Sequence, residues 1–219
     1  MKSILIIGEE SRTRYLKGFL NNNGLDPQIS DGDEEEDFKE FDIIFDLNFD
    51  DDSENFPIYA GLKDKLIFLS SVKQSLSEAA YTYSVKVRSR IFGINAIDHY
   101  LKQDVWELSA YRGNEWSLVE EFMKSIQKSF IQVEDSIGMY RPRIDFLRFN
   151  ECITLLEKGV ISSPLAHGTR CDFEWIDQIG ATDIFETLTA IYEDTKDIKY
   201  NPVPLLKRKY LRNHRFIHE

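Results

Sequence analysis

The side chains able to do chemistry in this chain of 219 residues are few. Among its 4 histidines, His99 follows an apolar run and His167 sits in a polar loop near Cys171. An imidazole can act as a general base near neutral pH, although a lone histidine is most often a surface or structural residue. His167 and Cys171 together fall short of the three or four ligands that zinc takes. Two acidic clusters, residues 31–37 and 50–52, have charge enough for a divalent cation. Carboxylates in a row do not make a coordination sphere, so both are read as solvated surface. The stretch with the most geometry in it is Gly8-Glu9-Glu10-Ser11-Arg12-Thr13. A dinucleotide site needs glycines after its first strand, because the backbone must turn tightly and then lie against a pyrophosphate at a helix N-terminus. Only Gly8 survives of that pattern. Glu10 brings a side chain and a negative charge to the second glycine's place, and Thr13 fills the third. Gly8, Ser11, Arg12 and a ribose-binding acid at Asp31 or Asp33 are the residues left to hold NAD.

Those residues need a scaffold. Residues 3–7 form a short continuous apolar run that turns at Gly8, the pattern of a buried parallel strand. A helix over residues 11–22 follows, with Tyr15, Leu16, Phe19 and Leu20 on one side, Ser11 as its cap and a stop at Gly24. Further strands are expected at residues 28–30, 42–47, 66–69, 91–94, 105–108 and 131–134. Helical stretches at residues 76–83 and 116–130 separate some of them. This alternation predicts a Rossmann-like α/β domain with a parallel sheet over residues 1–134.

A small all-α domain is expected over residues 135–219. Pro142 suits the first turn of a helix, where its missing N–H would be unpaired anyway. From there Ile144, Phe146, Leu147, Phe149, Cys152, Ile153, Leu155 and Leu156 leave a narrow polar strip before the stop at Gly159. Such a helix belongs inside a bundle or at a subunit interface.

The segments FNECITLLEKGV, DFEWIDQIGATDIFETL and NPVPLLKRK, in that order, resemble the C-terminal helical domain of the 3-hydroxyacyl-CoA dehydrogenase family. Asn150, Glu151, Gly159, Phe173, Glu174, Asp177, Gly180, Asp183, Pro202 and residues 204–206 carry the match. The resemblance implies an NAD-dependent oxidoreductase of fatty acid metabolism, acting on 3-hydroxyacyl-CoA and pairing as a homodimer through its helical domain. It also implies a histidine base oriented by a glutamate about twelve residues on. Here Arg90-Ile-Phe-Gly93-Ile-Asn95 fits the frame with Asn95 in the histidine's place, and Glu107 falls at the glutamate's. Ser70 and Ser71 stand where the family has Asn-Thr-Ser, Pro142 replaces a family asparagine, and a helical hairpin that helps to hold coenzyme A is missing after residue 37. His99, four residues past Asn95, is the candidate replacement base. A degenerate site that binds a ligand or partner is therefore expected. The alternative is an active oxidoreductase with a rebuilt site. The N-terminal strands also loosely resemble a response-regulator receiver, with Asp46 as phosphoryl acceptor.

The balance of 38 acidic and 27 basic residues, a net charge of −11, argues against a nucleic-acid partner. It disfavours anionic ligands as well, unless basic residues gather locally. With only Cys152 and Cys171, one of them inside an apolar helix, no disulfide framework is expected, and the cytoplasm is the default compartment. No apolar run suggests a signal peptide or a membrane span.

Overall fold

The computed structural model describes residues 2–31, 37–165 and 170–217. Asp33 and His167 lie outside them. The chain divides into two compact units, Met1–Met139 and Tyr140–Glu219.

The first unit runs β1 (Ile4–Ile7), α1 (Glu10–Asn22), β2 (Gln28–Ser30), a 3₁₀ turn (Phe38–Glu40), β3 (Ile43–Asp46), α2 (Phe56–Gly61), β4 (Leu66–Ser70), α3 (Leu76–Thr82), β5 (Arg90–Ile94), α4 (Asp98–Leu101), β6 (Val105–Ala110), α5 (Ser117–Ser125) and β7 (Ser129–Val133). Its seven strands form one sheet in the order β2-β1-β3-β4-β5-β6-β7. The central strands read as unbroken apolar runs because both of their faces are covered. Ile4, Ile6, Phe45, Phe68 and Phe92 pack with Leu16 and Leu20 of α1 and Phe122 of α5. Leu5, Ile7, Ile44, Ile67, Leu69 and Ile91 take the other side, under Phe56 and Tyr59 of α2 and Leu76 of α3.

Strands β1 to β5 are mutually parallel, but β6 runs antiparallel to β5, with Ile94 opposite Leu108, and β7 is parallel to β6. The sheet is thus mostly parallel, with one reversal that brings the residues after β5 against those early in β6. Three local expectations need correction. Glu9, not Ser11, is the non-helical residue before α1, and Ser11 lies exposed in the first turn. The helix expected over residues 116–130 stops at Ser125, because Gln127 turns left-handed at φ 52° and releases the chain into β7. Asp50, assigned to the surface, is drawn inward by the loop after β4.

The second unit contains α6 (Arg141–Glu157), α7 (Phe173–Ile179), α8 (Ala181–Thr195), a 3₁₀ turn (Ile198–Tyr200) and α9 (Pro204–Arg212). α6 packs on α8 and α9, and its Phe146, Phe149 and Ile153 are fully buried, with Phe149 edge-on to Trp175 of α7. Ile144 is 52% exposed, so part of the apolar surface of α6 faces outward. Asn150 explains one polar residue in that helix: Nδ2 donates to the carbonyls of Lys199 and Asn201 at 3.4 and 3.0 Å, and Oδ1 accepts from Val203 N at 3.0 Å. It pins the chain entering α9 to the middle of α6.

Contrary to the expectation from two scattered cysteines, Cys152 and Cys171 form a disulfide, with Cα atoms 5.4 Å apart. The segment before α7 returns to α6 and places the thiols together, a proximity that a spacing of 19 residues cannot reveal. Disulfides are rare under reducing conditions, so the two cysteines do not point to the cytoplasm. Among the described residues, no helix is long and apolar enough to cross a membrane.

Candidate active site

The reversal between β5 and β6 builds the centre of the site. Asn95 N donates to Glu107 O at 3.2 Å, and Asn95 Nδ2 donates to Glu107 Oε2 at 2.8 Å. Asn95 Oδ1 accepts from Ile97 N at 3.4 Å, so both ends of the amide are engaged. Asn95 is 2% exposed and Glu107 1%. An amide has no basicity near neutral pH, and this one is spent on holding a carboxylate.

The two serines at the end of β4, Ser70 within it and Ser71 just past it, diverge. Ser70 Oγ donates to Asp50 Oδ2 at 2.5 Å, and the same carboxylate accepts from Val72 N at 3.0 Å, Lys73 N at 2.6 Å and Gln74 N at 3.4 Å. Ser70 therefore anchors a loop. Burial pushes the Asp50 carboxyl up to about 6, against the pull of these hydrogen bonds. Ser71 instead shares Gly93 with Ser109: a Cβ on Gly93 would fall 2.0 Å from Ser71 Oγ and 2.3 Å from Ser109 Oγ. Both hydroxyls are buried with no hydrogen-bond partner among the described residues. The glycine is needed because two side chains occupy the place of its own. Two residues on from Gly93 is Asn95, just past β5 but still paired to Glu107 O, and two back from Ser109 along β6 is Glu107, so this polar floor shares one face of the sheet. Ser109 stands in no pattern distinct from its surroundings, and Asp50 stands out only as part of the acidic run 50–52 that reads as solvated surface.

Asp46, at the end of β3, is 2% exposed and accepts from Tyr59 Oη at 2.9 Å and Asn48 N at 3.0 Å. With both oxygens engaged under α2, it has no face to offer a phosphodonor, and the receiver alternative falls. His99 is on α4, its ring 3.1 Å from Gln103 Nε2 and edge-on to Tyr100 at 5.5 Å.

At the turn after β1, Gly8 has φ 147°, and a Cβ there would lie 3.0 Å from Leu47 Cβ. The tight turn is present. Glu9 N donates to Asn48 Oδ1 at 3.3 Å and Arg12 Nη1 to Leu47 O at 3.1 Å, so the turn is laced to the loop after β3. Thr13, buried, donates its hydroxyl to Glu9 O at 3.0 Å. Glu10 opens α1 with its side chain 84% exposed and ion-paired to Arg14. A cleft of about 720 Å³ beside it is lined by Gly8, Glu10, Arg14, Lys17, Ser30 and Asp31, among others. These residues fit a tight turn but not a pyrophosphate laid on the first turn of α1, where Glu10 adds both bulk and like charge. Among the described residues, no group of three or more His, Cys, Asp and Glu is placed to hold a metal ion.

No protein-family model matches the sequence, and no curated protein matches it. Solved structures do. The (S)-3-hydroxybutyryl-CoA dehydrogenase PaaH1 from Ralstonia eutropha is similar over 100% of this chain and 99% of its own, with a TM-score of 0.76 at 16% identity. FadB2 of M. tuberculosis aligns over 97% of this chain and 94% of its own, with a TM-score of 0.72 at 13% identity. A 3-hydroxybutyryl-CoA dehydrogenase from Escherichia coli K12 gives 0.67 at 14%, over 97% of this chain and 57% of its own. Over its whole length, then, and at a sequence distance where fold alone is carried, this chain has the fold of the 3-hydroxyacyl-CoA dehydrogenases.

Proposed function

We propose that the chain is a 3-hydroxyacyl-CoA dehydrogenase-like protein whose hydride-transfer site is retired and whose scaffold now serves to bind a ligand or partner. One observation carries this reading: the buried Asn95–Glu107 pair, 2.8 Å apart, stands where the resemblance implies a histidine–glutamate pair. The scaffold of the dyad is intact, but the group that should take the proton cannot. Glu10 at the start of α1 supports the same reading, because it weakens the hold on NAD.

The experiment follows NADH absorbance with acetoacetyl-CoA for the wild type, Asn95→His and Asn95→His with Glu10→Gly. General-base catalysis contributes a factor of roughly 10² to 10⁴. The wild type is expected to be inactive, with activity emerging in the double variant. Ready turnover by the wild type, lost in His99→Ala, would establish the rebuilt oxidoreductase instead. A thermal-shift series with NAD⁺, NADH, NADPH, free CoA and acetoacetyl-CoA separates binding from turnover, since a ligand of the native state raises its melting temperature.

A further inference from the structure

Charge is unevenly placed along this acidic chain. Residues 1–139 hold 26 acidic and 15 basic side chains, whereas residues 140–219 hold 12 of each. Within the second unit the cations collect near its end. Lys207, Arg208, Lys209, Arg212 and Arg215 fall in a stretch that contains no acid.

α9 determines where they point. Leu206 is fully buried, Leu205, Lys209 and Tyr210 are half-buried beside it, and Tyr210 stacks on Phe185 at 4.4 Å. With successive residues about 100° apart around a helix, that inner side leaves Pro204, Lys207, Arg208, Leu211 and Arg212 on a continuous outer face. All five are exposed, Leu211 at 69%. Leu211 and Pro204 form its apolar middle, Lys207 one flank, Arg208 and Arg212 the other. Past the helix the chain turns back at Asn213, φ 51°, and Asp177 takes the N–H groups of Phe216 and Ile217 at 2.7 and 2.8 Å. This keeps exposed His214 and Arg215 beside the last turn. Arg208 pairs with Glu157 at 2.8 Å; Lys207, Arg212 and Arg215 form no ion pair among the described residues.

We infer that the outer face of α9 docks an acidic, amphipathic polypeptide segment. Its carboxylates pair with Lys207, Arg208 and Arg212, and an apolar side chain covers Leu211. Charge complementarity selects this occupant over the others. Pairing with α9 of a second copy would set like charges face to face. A lipid surface rewards a broad apolar face, and a single leucine is not one. A nucleic acid would use the cations and leave Leu211 in water.

The test is fluorescence anisotropy at low salt with a short labelled peptide carrying glutamates, with leucines at helical spacing. A thymidine oligonucleotide and phosphatidylserine-containing vesicles are the comparison probes. The peptide is expected to bind more tightly than either. Leu211→Ser should weaken it roughly tenfold, as loss of a central apolar contact does. Lys207→Glu with Arg212→Glu should abolish binding. The substituted side chains are exposed, so thermal melts by circular dichroism should coincide with the wild type's and show that the fold is kept. Equal binding of the oligonucleotide or the vesicles, with no effect of Leu211→Ser, would make this a general anion patch and overturn the inference. So would peptide binding that survives the charge reversals.

Discussion

Asp46→Asn is expected to remove a pH dependence that the wild type carries. Burial is the first cause that raises the Asp46 carboxyl from 3.8 to about 6, with the Tyr59 hydroxyl and the Asn48 N–H pulling the other way. At about 1.36 kcal/mol per pH unit, that rise is worth roughly 3 kcal/mol. The folded pKa lies above the unfolded one, so between them the folded state holds more protons and stability falls as pH rises. The contribution is fully present below 3.8 and lost once pH passes about 6. Asparagine fits the same contacts: its oxygen accepts from Asn48 N, and its amide donates to the Tyr59 oxygen, whose hydroxyl reverses its role. Urea unfolding followed by tryptophan fluorescence should therefore show the variant gaining on the wild type by roughly 3 kcal/mol between pH values of about 3.5 and 8. Asp50 titrates in both proteins and drops out of the difference. Parallel stability curves for the two proteins across that range would refute the reasoning.

Asn150→Asp keeps the shape of the side chain but turns an oxygen toward the carbonyls of Lys199 and Asn201. It should destabilise by about 2 to 4 kcal/mol, as much as Asn150→Ala, which urea midpoints would measure. Reduction of the Cys152–Cys171 bridge should cost about 3 kcal/mol for a closed loop of this size and lower the melting temperature. Alkylation of both thiols in unreduced protein would show that the bridge is absent in solution. Tyr140 and Ile144, exposed one turn apart at the start of α6, are expected to lie in a homodimer interface. Light scattering should show a dimer that Ile144→Glu converts to a monomer, and a monomeric wild type would remove the case.

What could be read from the sequence follows from which forces act locally. The runs at Ile4–Ile7, Ile43–Asp46 and Leu66–Ser70 announce themselves because strands buried on both faces are apolar along almost their whole length, with Asp46 and Ser70 only at the last position of their strands. Hydrophobic pattern carries no direction, so the antiparallel turn of β6 was not visible in it. α2 and α4, of six and four residues, are too short to establish a helical period. Asp50 was misjudged because whether a carboxylate stays in water depends on loop N–H groups contributed from more than twenty residues away. The pairing of Asn95 with Glu107 was legible through the family resemblance alone. Nothing in periodicity or composition joins residues twelve apart across a strand reversal.

That reversal also separates what the site is from what it can become. Asn95 and Glu107 are brought together by the main-chain ladder of β5 and β6, with Ile94 opposite Leu108 and Asn95 N on Glu107 O, rather than by any property of the asparagine itself. The position is addressed by backbone, so the register that sets residue 95 against residue 107 does not depend on which side chain stands there. Asparagine and histidine codons differ at a single base. A single base change is therefore enough to exchange an amide for an imidazole opposite Glu107, while the strand register that pairs the two positions stays the same.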